Sequence, residues 1–176
     1  MEKSAFIQCG GYGRQGLKAA LRSLVEGLGG SSRFFSRGDS VLIKPNMLSA
    51  SAPDECITTH PEVVRAVVLM ALEAGARPFI ADSPGLDRFS DVARRTGMEA
   101  VARELNIPCV ELDDPTPLPP AEVAVFKKVE VSRLALSADR IINIPKLKTH
   151  AQMMLTLGVK NLFGTVVSQR KAQWHY

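Results

Sequence analysis

The chain has 176 residues, of which 45% are hydrophobic and 23% are charged, as in an average soluble globular protein. This composition excludes a chain that is disordered throughout, and no apolar stretch reaches the ~20 residues that a membrane-spanning helix needs. The net charge is +4, but residues 140–176 contain six basic residues and no acidic one, which favours an anionic partner for that segment. The alternative is a basic segment whose side chains are simply solvated.

Hydrophobic periodicity predicts strands and helices that alternate along the chain. The predicted elements, in chain order, are a strand over Ser4–Cys9, a helix over Arg14–Leu28, a strand over Asp39–Lys44, a helix that starts at Thr59–Glu62 and ends at Gly75, a strand over Arg77–Ala81, short helices over Asp91–Arg95 and Met98–Leu105, strands over Cys109–Leu112, Val123–Val131 and Ala138–Ile144, and a helix over Gln152–Lys160. The proline-rich segment Asp113–Pro120 is predicted to be an exposed loop, and the apolar segment 161–167 fits either a helix or a strand.

Two of the predicted helices begin with a sequence that fits a capping box. Thr59 and Glu62 are three residues apart at the first of these starts, and Thr96 and Glu99 could form a second box. In such a box the hydroxyl and the carboxylate satisfy backbone N–H groups that the first turn of a helix leaves free. We therefore expect Thr59 to cap the helix that follows it.

The alternation of elements predicts an α/β fold, with all of residues 1–176 in a single domain. Short apolar strands are typical of a mainly parallel sheet with helices on both faces, joined by right-handed crossovers. The strand predicted over Val123–Val131, which alternates in polarity, is the candidate for one antiparallel strand at the edge of the sheet. Ligands of such folds bind outside the carboxyl ends of the strands, so we look for a site there.

Three of the predicted strands run into a proline and then into a polar cluster, in the segments VLIKPN, FIADSPG and INIPKLKTH. Proline ends the hydrogen-bond ladder of a strand, so the polar side chains that follow emerge at the edge of the sheet. Because the carboxyl ends of parallel strands point the same way, we expect these groups to converge on one site. The residues concerned are Lys44, Asn46, Asp82, Ser83, Lys146, Lys148, Thr149 and His150. The alternative is three separate turns, which proline and polar residues also favour.

The chemistry of this set is that of anion recognition. Its lysines would supply charge for a phosphate or a carboxylate, and its amide and hydroxyl groups would add neutral hydrogen bonds. Asp82 could orient a lysine, act as a base or help to bind a metal, or it could merely cap the turn before Pro84. His60 and His150 are further candidates for acid–base catalysis. No histidine spacing supports a metal site, so none is predicted.

One glycine-rich motif suggests a dinucleotide site but lacks a required part. Gly11, Gly13 and Gly16 match G-x-G-x-x-G between a predicted strand and a helix. The dinucleotide fingerprint also needs an acidic residue at the end of the second strand, and that strand ends in Lys44-Pro45-Asn46. A glycine-rich turn is the better interpretation.

The cysteines of the chain are few and scattered. Cys9, Cys56 and Cys109 are about fifty residues apart, which argues against a disulfide framework. An iron–sulfur cluster normally needs four closely spaced thiolates, so no cofactor is predicted within this segment. Without an apolar leader at the start of the chain, a cytoplasmic location is expected.

Six segments in order give the chain a specific family resemblance. The segments are VLIKPNM, TTHPEVVRAVV, GARPFIADSPG, INIPKLKTH, LGVKNLFG and RKAQWH. Together they resemble the family known as domain of unknown function 362, from about residue 39 to residue 175, and Tyr12 with the helix after it also fits. LGVKNLFG adds Lys160 and Asn161 to the candidate ligand-binding residues.

The resemblance implies a link to redox proteins but no particular reaction. Many members carry a ferredoxin-like module with two four-cysteine motifs, and this chain contains no such module. The resemblance therefore implies that residues 1–176 are the N-terminal portion of a longer family domain. Any 4Fe–4S clusters would belong to that longer parent chain.

The leading functional hypothesis is a cleft that binds an anionic small molecule, within an enzyme or redox-linked protein that has a redox partner or a ferredoxin-like module. A nucleic-acid-binding module that uses residues 140–176 is an alternative, but nucleic acid is disfavoured because aromatic residues make up only 6% of the chain. A third hypothesis is a non-catalytic domain that docks a partner. No membrane partner is predicted.

Overall fold

A computed structural model describes residues 3–85, 87–118, 129–150 and 154–167. Its helices are α1 (Arg14–Gly27), α2 (Pro61–Glu73), α3 (Phe89–Arg95), α4 (Met98–Leu105), α5 (Arg133–Ser137) and α6 (Gly158–Leu162). Its strands are β1 (Ser40–Pro45), β2 (Arg77–Asp82), β3 (Cys109–Glu111), β4 (Pro115–Pro117), β5 (Glu130–Ser132), β6 (Arg140–Ile144), β7 (Lys148–His150) and β8 (Met154–Thr156).

The main sheet has four parallel strands in the order β3-β2-β1-β6. Leu42 of β1 lies opposite Phe79 of β2 on one side and Ile141 of β6 on the other. The prediction that these three strands lie in one parallel sheet is therefore confirmed. The chain proceeds outward from β1 through β2 to β3 and later places β6 on the other side of β1, which makes a topological switch point between β1 and β6.

Both faces of the sheet are covered by helices, as the sequence predicts. Val41 and Ile43 of β1 and Ile80 of β2 belong to a core that includes Val64 and Val68 of α2. The alternate residues of the strands form a second core with Leu112 and with Ala135 of α5. Complete burial of each Val, Leu or Ile contributes about 1.5–3 kcal/mol, so this alternation fixes which face every strand residue occupies.

The start of α2 is capped differently from the prediction. His60 is the N-cap, and its Nδ1 accepts a hydrogen bond from the Glu62 N–H at 3.2 Å. The expected Thr59 capping box is wrong, because the Thr59 hydroxyl bonds instead to the Asn46 N–H after β1 and to the Ile144 carbonyl at the end of β6. The second predicted box is also wrong, since the Thr96 hydroxyl donates back to the Val92 carbonyl.

Two of the predicted elements are wrong. Residues 4–9 form no strand, because no strand among the described residues pairs with them, and Phe6 is 95% exposed. Of the helix expected over Gln152–Lys160, residues 152–153 lie outside the described residues, and residues 158–160 are helical as part of α6. The prediction is wrong at Met154–Thr156, which form β8 and pair antiparallel with β7, with Lys148 opposite Thr156. Pairing between the two strands overrides the local helical spacing, and Met154 has a φ of 61°, outside the helical region.

The antiparallel pairing lies apart from the main sheet, contrary to the expected antiparallel edge strand. Within the described residues, β3 and β6 are the edges of the main sheet, and both are parallel to their neighbours. Antiparallel pairs form two small sheets, β4 with β5 and β7 with β8. Of the predicted strand Val123–Val131, residues 123–128 lie outside the described residues, and Val131 belongs to β5.

The expected proline-rich loop and the glycine motif can also be placed. Part of the predicted loop forms the short strand β4, so the loop prediction is corrected there. Residues 3–10, the described residues before the glycine motif, form no strand, and a Cβ atom added at Gly11, Gly13 or Gly16 would contact nothing within 4 Å. Close packing therefore does not explain why glycine occupies these positions.

In the described part of the chain, no helix has the length and apolar character to span a membrane.

Candidate functional site

A buried ion pair lies at the carboxyl ends of β1 and β2. The Lys44 ammonium is 2.7 Å from Oδ1 of Asp82, and the two side chains are 0% and 6% exposed. Lys44 also donates to the Pro45 carbonyl at 3.0 Å. Neighbouring parallel strands bring the two residues together, as the convergence hypothesis predicts.

Asp82 accepts three hydrogen bonds that tie the ends of two strands to each other. Beside the Lys44 ammonium, its carboxylate accepts from the Met47 N–H and from the Ser83 N–H, both at 2.9 Å. Gly164 closes over the pair, because a Cβ atom there would overlap Asp82 Oδ1 and would lie 2.5 Å from Lys44 Nζ. The contacts described here make this pair a structural junction, with no room for a side chain at Gly164.

A chain of amide hydrogen bonds crosses the switch point between β1 and β6. The Asn46 Nδ2 donates to Oδ1 of Asn161 at 2.9 Å, and the Asn161 Nδ2 donates to Oδ1 of Asn143 at 2.7 Å. The Asn143 Nδ2 in turn donates to the Gly158 carbonyl at 2.8 Å. Because each amide uses its oxygen and its nitrogen in a fixed direction, this amide chain orients all three side chains.

Lys148 joins this amide chain from the β7 strand. Its ammonium donates to Oδ1 of Asn46 at 2.9 Å and to the Ile57 carbonyl at 2.6 Å. Thr59 supports the arrangement, since its hydroxyl accepts from the Asn46 N–H at 2.8 Å and donates to the Ile144 carbonyl at 2.7 Å. The position of the Lys148 ammonium is thus fixed by Asn46 and Ile57, both far from it in sequence.

An open pocket of about 270 Å³ lies beside the Lys148 ammonium, and we call it the lysine pocket. Its lining consists of Asn46, Leu48, Lys148, Thr149, His150, Thr156 and Lys160. The lining contains two lysines and no carboxylate. The lining therefore offers the positive charge of Lys148 and Lys160 and no negatively charged side chain.

Burial and neighbouring cations perturb both lysines of the pocket. Burial lowers the pKa of Lys148, and the charges of Lys146 and Lys160 lower it further. Burial also lowers the pKa of Lys160, whose ammonium lies 4.7 Å from the centre of the Phe163 ring. In both cases burial is the largest cause of the lowered pKa, since burial disfavours the charged form of a lysine.

The sequence-predicted residues divide into three groups. The lysine pocket brings together Asn46, Lys148, Thr149, His150 and Lys160. Asn161 is 3% exposed and holds the amide chain, while Lys44, Asp82 and Ser83 are buried at the ion pair. Lys146 and His60 are near each other but do not line the pocket, and Lys146 influences the pKa values of both His60 and Lys148.

Sequence reasoning missed four residues of this region. Asn143 was missed because it lies inside a strand, and Thr59 because it fitted a helix cap. Gly164 lies in a segment that fitted either a helix or a strand, and Thr156 lies in a segment that was predicted to be helical but forms a strand. The one available signal was Asn143 itself, since an amide within the apolar run IINI needs a hydrogen-bond partner when it is buried.

His60 has an aromatic neighbour from the segment before α1. The rings of Tyr12 and His60 are stacked, with centroids 3.7 Å apart and planes 3° from parallel. The Tyr12 ring thus covers one side of the imidazole, which also caps α2 through Nδ1. His60 is therefore placed as a structural cap at the edge of the site.

The His60 cap is expected to make the chain less stable in mild acid. Burial lowers the pKa of His60 below 6.5; Glu62 opposes this shift and Lys146 reinforces it. The folded protein then binds fewer protons than the unfolded chain, so the free energy of unfolding is retained above pH 6.5 and falls as the pH drops below it. Protonation of Nδ1 also removes the acceptor for the Glu62 N–H.

Urea denaturation at a series of pH values, carried out on the parent chain and on His60→Asn, tests this role of His60. Asn also caps helices well, but its side chain does not titrate in this range. The parent chain should lose stability relative to the variant as the pH falls below 6.5. Parallel pH profiles for the two proteins would contradict the assignment.

Comparisons with known proteins agree with the motifs. Residues 41–176 match the family described as Domain of unknown function (DUF362), and this range contains the ion pair, the amide chain and the lysine pocket. Over 165 residues the chain is 44% identical to a thylakoid-associated protein of Synechocystis sp. (strain ATCC 27184 / PCC 6803 / Kazusa). The match covers 93% of this chain and 50% of the relative, so the chain spans about half of the relative's length. The family prediction is confirmed, and the chain belongs to the DUF362 family.

Proposed function

We propose that the chain binds a small anionic molecule, with a phosphate or carboxylate group, in the lysine pocket. The observation that carries this proposal is the pairing of Lys148 and Lys160 in a lining without any carboxylate. The strands β1 and β6 lie on either side of the topological switch point, and the pocket lies outside their carboxyl ends. Ligands of open parallel sheets usually bind at such a point.

The geometry of Lys148 supports a ligand contact. An ammonium has three N–H donors, and the described bonds to Asn46 and Ile57 use two of them. A third donor is left for an oxygen of the ligand. The two protein bonds hold the ammonium in place before binding, which reduces the entropy lost when the ligand arrives.

Thr156 supplies an independent sign of a ligand. Its side chain lines the pocket, the residue is 2% exposed, and its hydroxyl has no hydrogen-bond partner among the described residues. A buried polar group without a partner costs about 1–3 kcal/mol, and a ligand oxygen in the pocket would supply that partner. Thr149, which also lines the pocket, offers a second hydroxyl.

The pocket limits the size and character of the ligand. Its volume of about 270 Å³ suits a small metabolite with a single anionic head. Leu48 lines the same space, so the rest of the ligand can be apolar. His150 lies in the lining as the candidate for proton transfer, should binding lead to a reaction.

The proposal places the chain in the cytoplasm, as part of a redox-linked protein when a longer parent carries an iron–sulfur module. Within the described residues, no group of three His, Cys, Asp or Glu side chains could hold a metal. Cys9, Cys56 and Cys109 are free thiols, and no step of the proposed function involves a cluster.

Calorimetric titration with inorganic phosphate tests the proposal. We expect saturable binding that weakens as salt rises, because salt screens the lysine charges. Binding should also weaken as the pH rises, beginning below the ordinary lysine pKa of 10.5, because the pKa values of Lys148 and Lys160 are lowered. Acetate and a larger carboxylate with an apolar tail serve as second probes. Failure of all three probes to bind at low salt would contradict the proposal.

A further inference from the structure

The amine of Lys148 is held so that one position on its nitrogen stays open to the lysine pocket. Two of its N–H groups donate, to Oδ1 of Asn46 at 2.9 Å and to the Ile57 carbonyl at 2.6 Å. Since the nitrogen is tetrahedral and its third position is the bond to Cε, one position remains that no described group bonds to, and the side chain lines the pocket. In the uncharged amine this position holds the lone pair. The two acceptors therefore direct a nucleophilic nitrogen at the occupant of the pocket.

The surroundings of Lys148 favour its uncharged form. Burial lowers the pKa of Lys148 most, and the charges of Lys146 and Lys160 lower it further. Burial lowers the pKa of Lys160 as well, but the Lys160 ammonium lies 4.7 Å from the centre of the Phe163 ring, and the face of an aromatic ring attracts a cation. The two lysines thus suit different tasks. Lys160 holds an anionic group by its charge, while an uncharged fraction of Lys148 is free to react.

Thr156 places a hydroxyl group beside this amine. In the pairing of β7 with β8, Thr156 lies directly opposite Lys148, so the two side chains emerge on the same face of the strands. The Thr156 hydroxyl is buried, lines the pocket and has no hydrogen-bond partner among the described residues. A donor at this place suits a carbonyl oxygen, which becomes negatively charged when an amine attacks its carbon. Thr156 is therefore a second sign, independent of the lysines, of the same kind of ligand.

We propose that Lys148 forms a Schiff base with a small oxo acid, a molecule that carries a ketone or aldehyde group next to its carboxylate. The inference rests on the proposed function, because Lys160 holds the carboxylate in the same pocket. It names the substrate class within the anions that the pocket admits. An anion without a carbonyl group of this kind, such as phosphate, binds to the ammonium form of Lys148 and does not react.

Formation of the Schiff base needs no oxidant or reductant. The lone pair of Lys148 Nζ attacks the carbonyl carbon, and the π electrons of the C=O bond move to the oxygen, to which the Thr156 hydroxyl donates. A proton moves from nitrogen to oxygen and gives the neutral carbinolamine. A second proton lets the oxygen leave as water while the nitrogen lone pair forms the C=N bond. One amine, one carbonyl and one proton thus become an iminium and water, and His150 lines the pocket as the candidate for the proton transfers.

Reductive trapping with pyruvate and sodium cyanoborohydride tests the Schiff base, because hydride addition to the iminium carbon makes the link permanent. We expect the full chain at neutral pH to gain the mass of one reduced pyruvate adduct, and peptide mass spectrometry should place it on Lys148. Labelling should favour this lysine over surface lysines, since its lowered pKa gives it a larger uncharged fraction. Excess phosphate should slow the labelling by competing for the pocket.

Two variants serve as comparisons. Lys148→Arg keeps the positive charge but removes the primary amine, so labelling should fall at least about tenfold. Lys18→Arg is the matched control, because Lys18 lies on α1 and pairs with Glu73, and it should be labelled as the parent is. The position of the label in the parent chain decides the test even if Lys148→Arg does not fold.

A label that is absent from Lys148, or that is spread evenly over the lysines, would overturn the Schiff base. If phosphate still binds the parent chain in calorimetry, that result leaves the anion pocket in place and removes only the covalent step. If phosphate, acetate and the larger carboxylate also fail to bind, both the anion pocket and the covalent step are wrong.

Discussion

Replacement of Lys44 by Met is expected to destabilise the chain by about 3–5 kcal/mol, the cost of breaking a buried ion pair from one side. The variant leaves the Asp82 carboxylate buried beneath Gly164 without its cation. Two backbone N–H groups still donate to that carboxylate, but they do not neutralise its charge. Since a domain of this size is stable by only about 5–15 kcal/mol, this loss is a large part of the total.

Urea denaturation monitored by circular dichroism measures this loss. Lys44→Met/Asp82→Asn should recover part of it, because no uncompensated charge then remains. Arg103→Met is the control, since its ion pair with Glu99 is exposed, with side chains 76% and 47% accessible, and such pairs contribute little. A Lys44→Met variant as stable as the control would show that the ion pair does not hold the strand ends together.

Replacement of both pocket lysines is expected to remove most of the affinity for phosphate. Hydrogen bonds to charged groups contribute about 1.5–3 kcal/mol each, so Lys148→Gln/Lys160→Gln should lower the affinity at least about a hundredfold. The variant should remain folded, but it should not be fully neutral in stability, because Lys148 also bonds to Asn46 and Ile57.

That β1, β2 and β6 end at one edge of a parallel sheet was predictable from the sequence, because it depends on strong local signals, whereas the order of the strands was not. Apolar runs that end in proline fixed β1, β2 and β6 to within about two residues, and parallel strands must end at one edge. The convergence of Asn46 and Lys148 followed from that geometry alone. Their actual contact, at 2.9 Å, agrees with it.

The roles of individual side chains were harder to predict, because they depend on burial by distant segments. Lys44 resembles a ligand-binding lysine in sequence, yet Gly164 and Asp82 enclose it completely. The pairing of β7 with β8 was missed because it depends on contacts between two strands, whereas the spacing from Gln152 to Lys160 also fits a helix. The spacing of apolar residues within one segment cannot distinguish a helix from a strand when the strand is stabilised by pairing with another strand.

Asn161 is another residue whose role depends on its burial by distant segments. The family motif marked it as a candidate for ligand binding, and the structure buries it between Asn46 and Asn143. Its effect on a ligand would be exerted through Asn46 and then Lys148, which it helps to orient. A sequence motif identifies that such a residue matters, but only the fold shows which neighbour it acts on.

Calorimetric titration of phosphate into the parent chain and into Lys148→Gln/Lys160→Gln, at low salt and neutral pH, tests the anion pocket most directly. Lys18→Gln is the charge-matched control, because Lys18 lies on α1, where it pairs with Glu73. The pocket account predicts saturable binding by the parent and the control, and an affinity at least about a hundredfold lower for the double variant. Equal phosphate affinity in all three proteins would contradict the account.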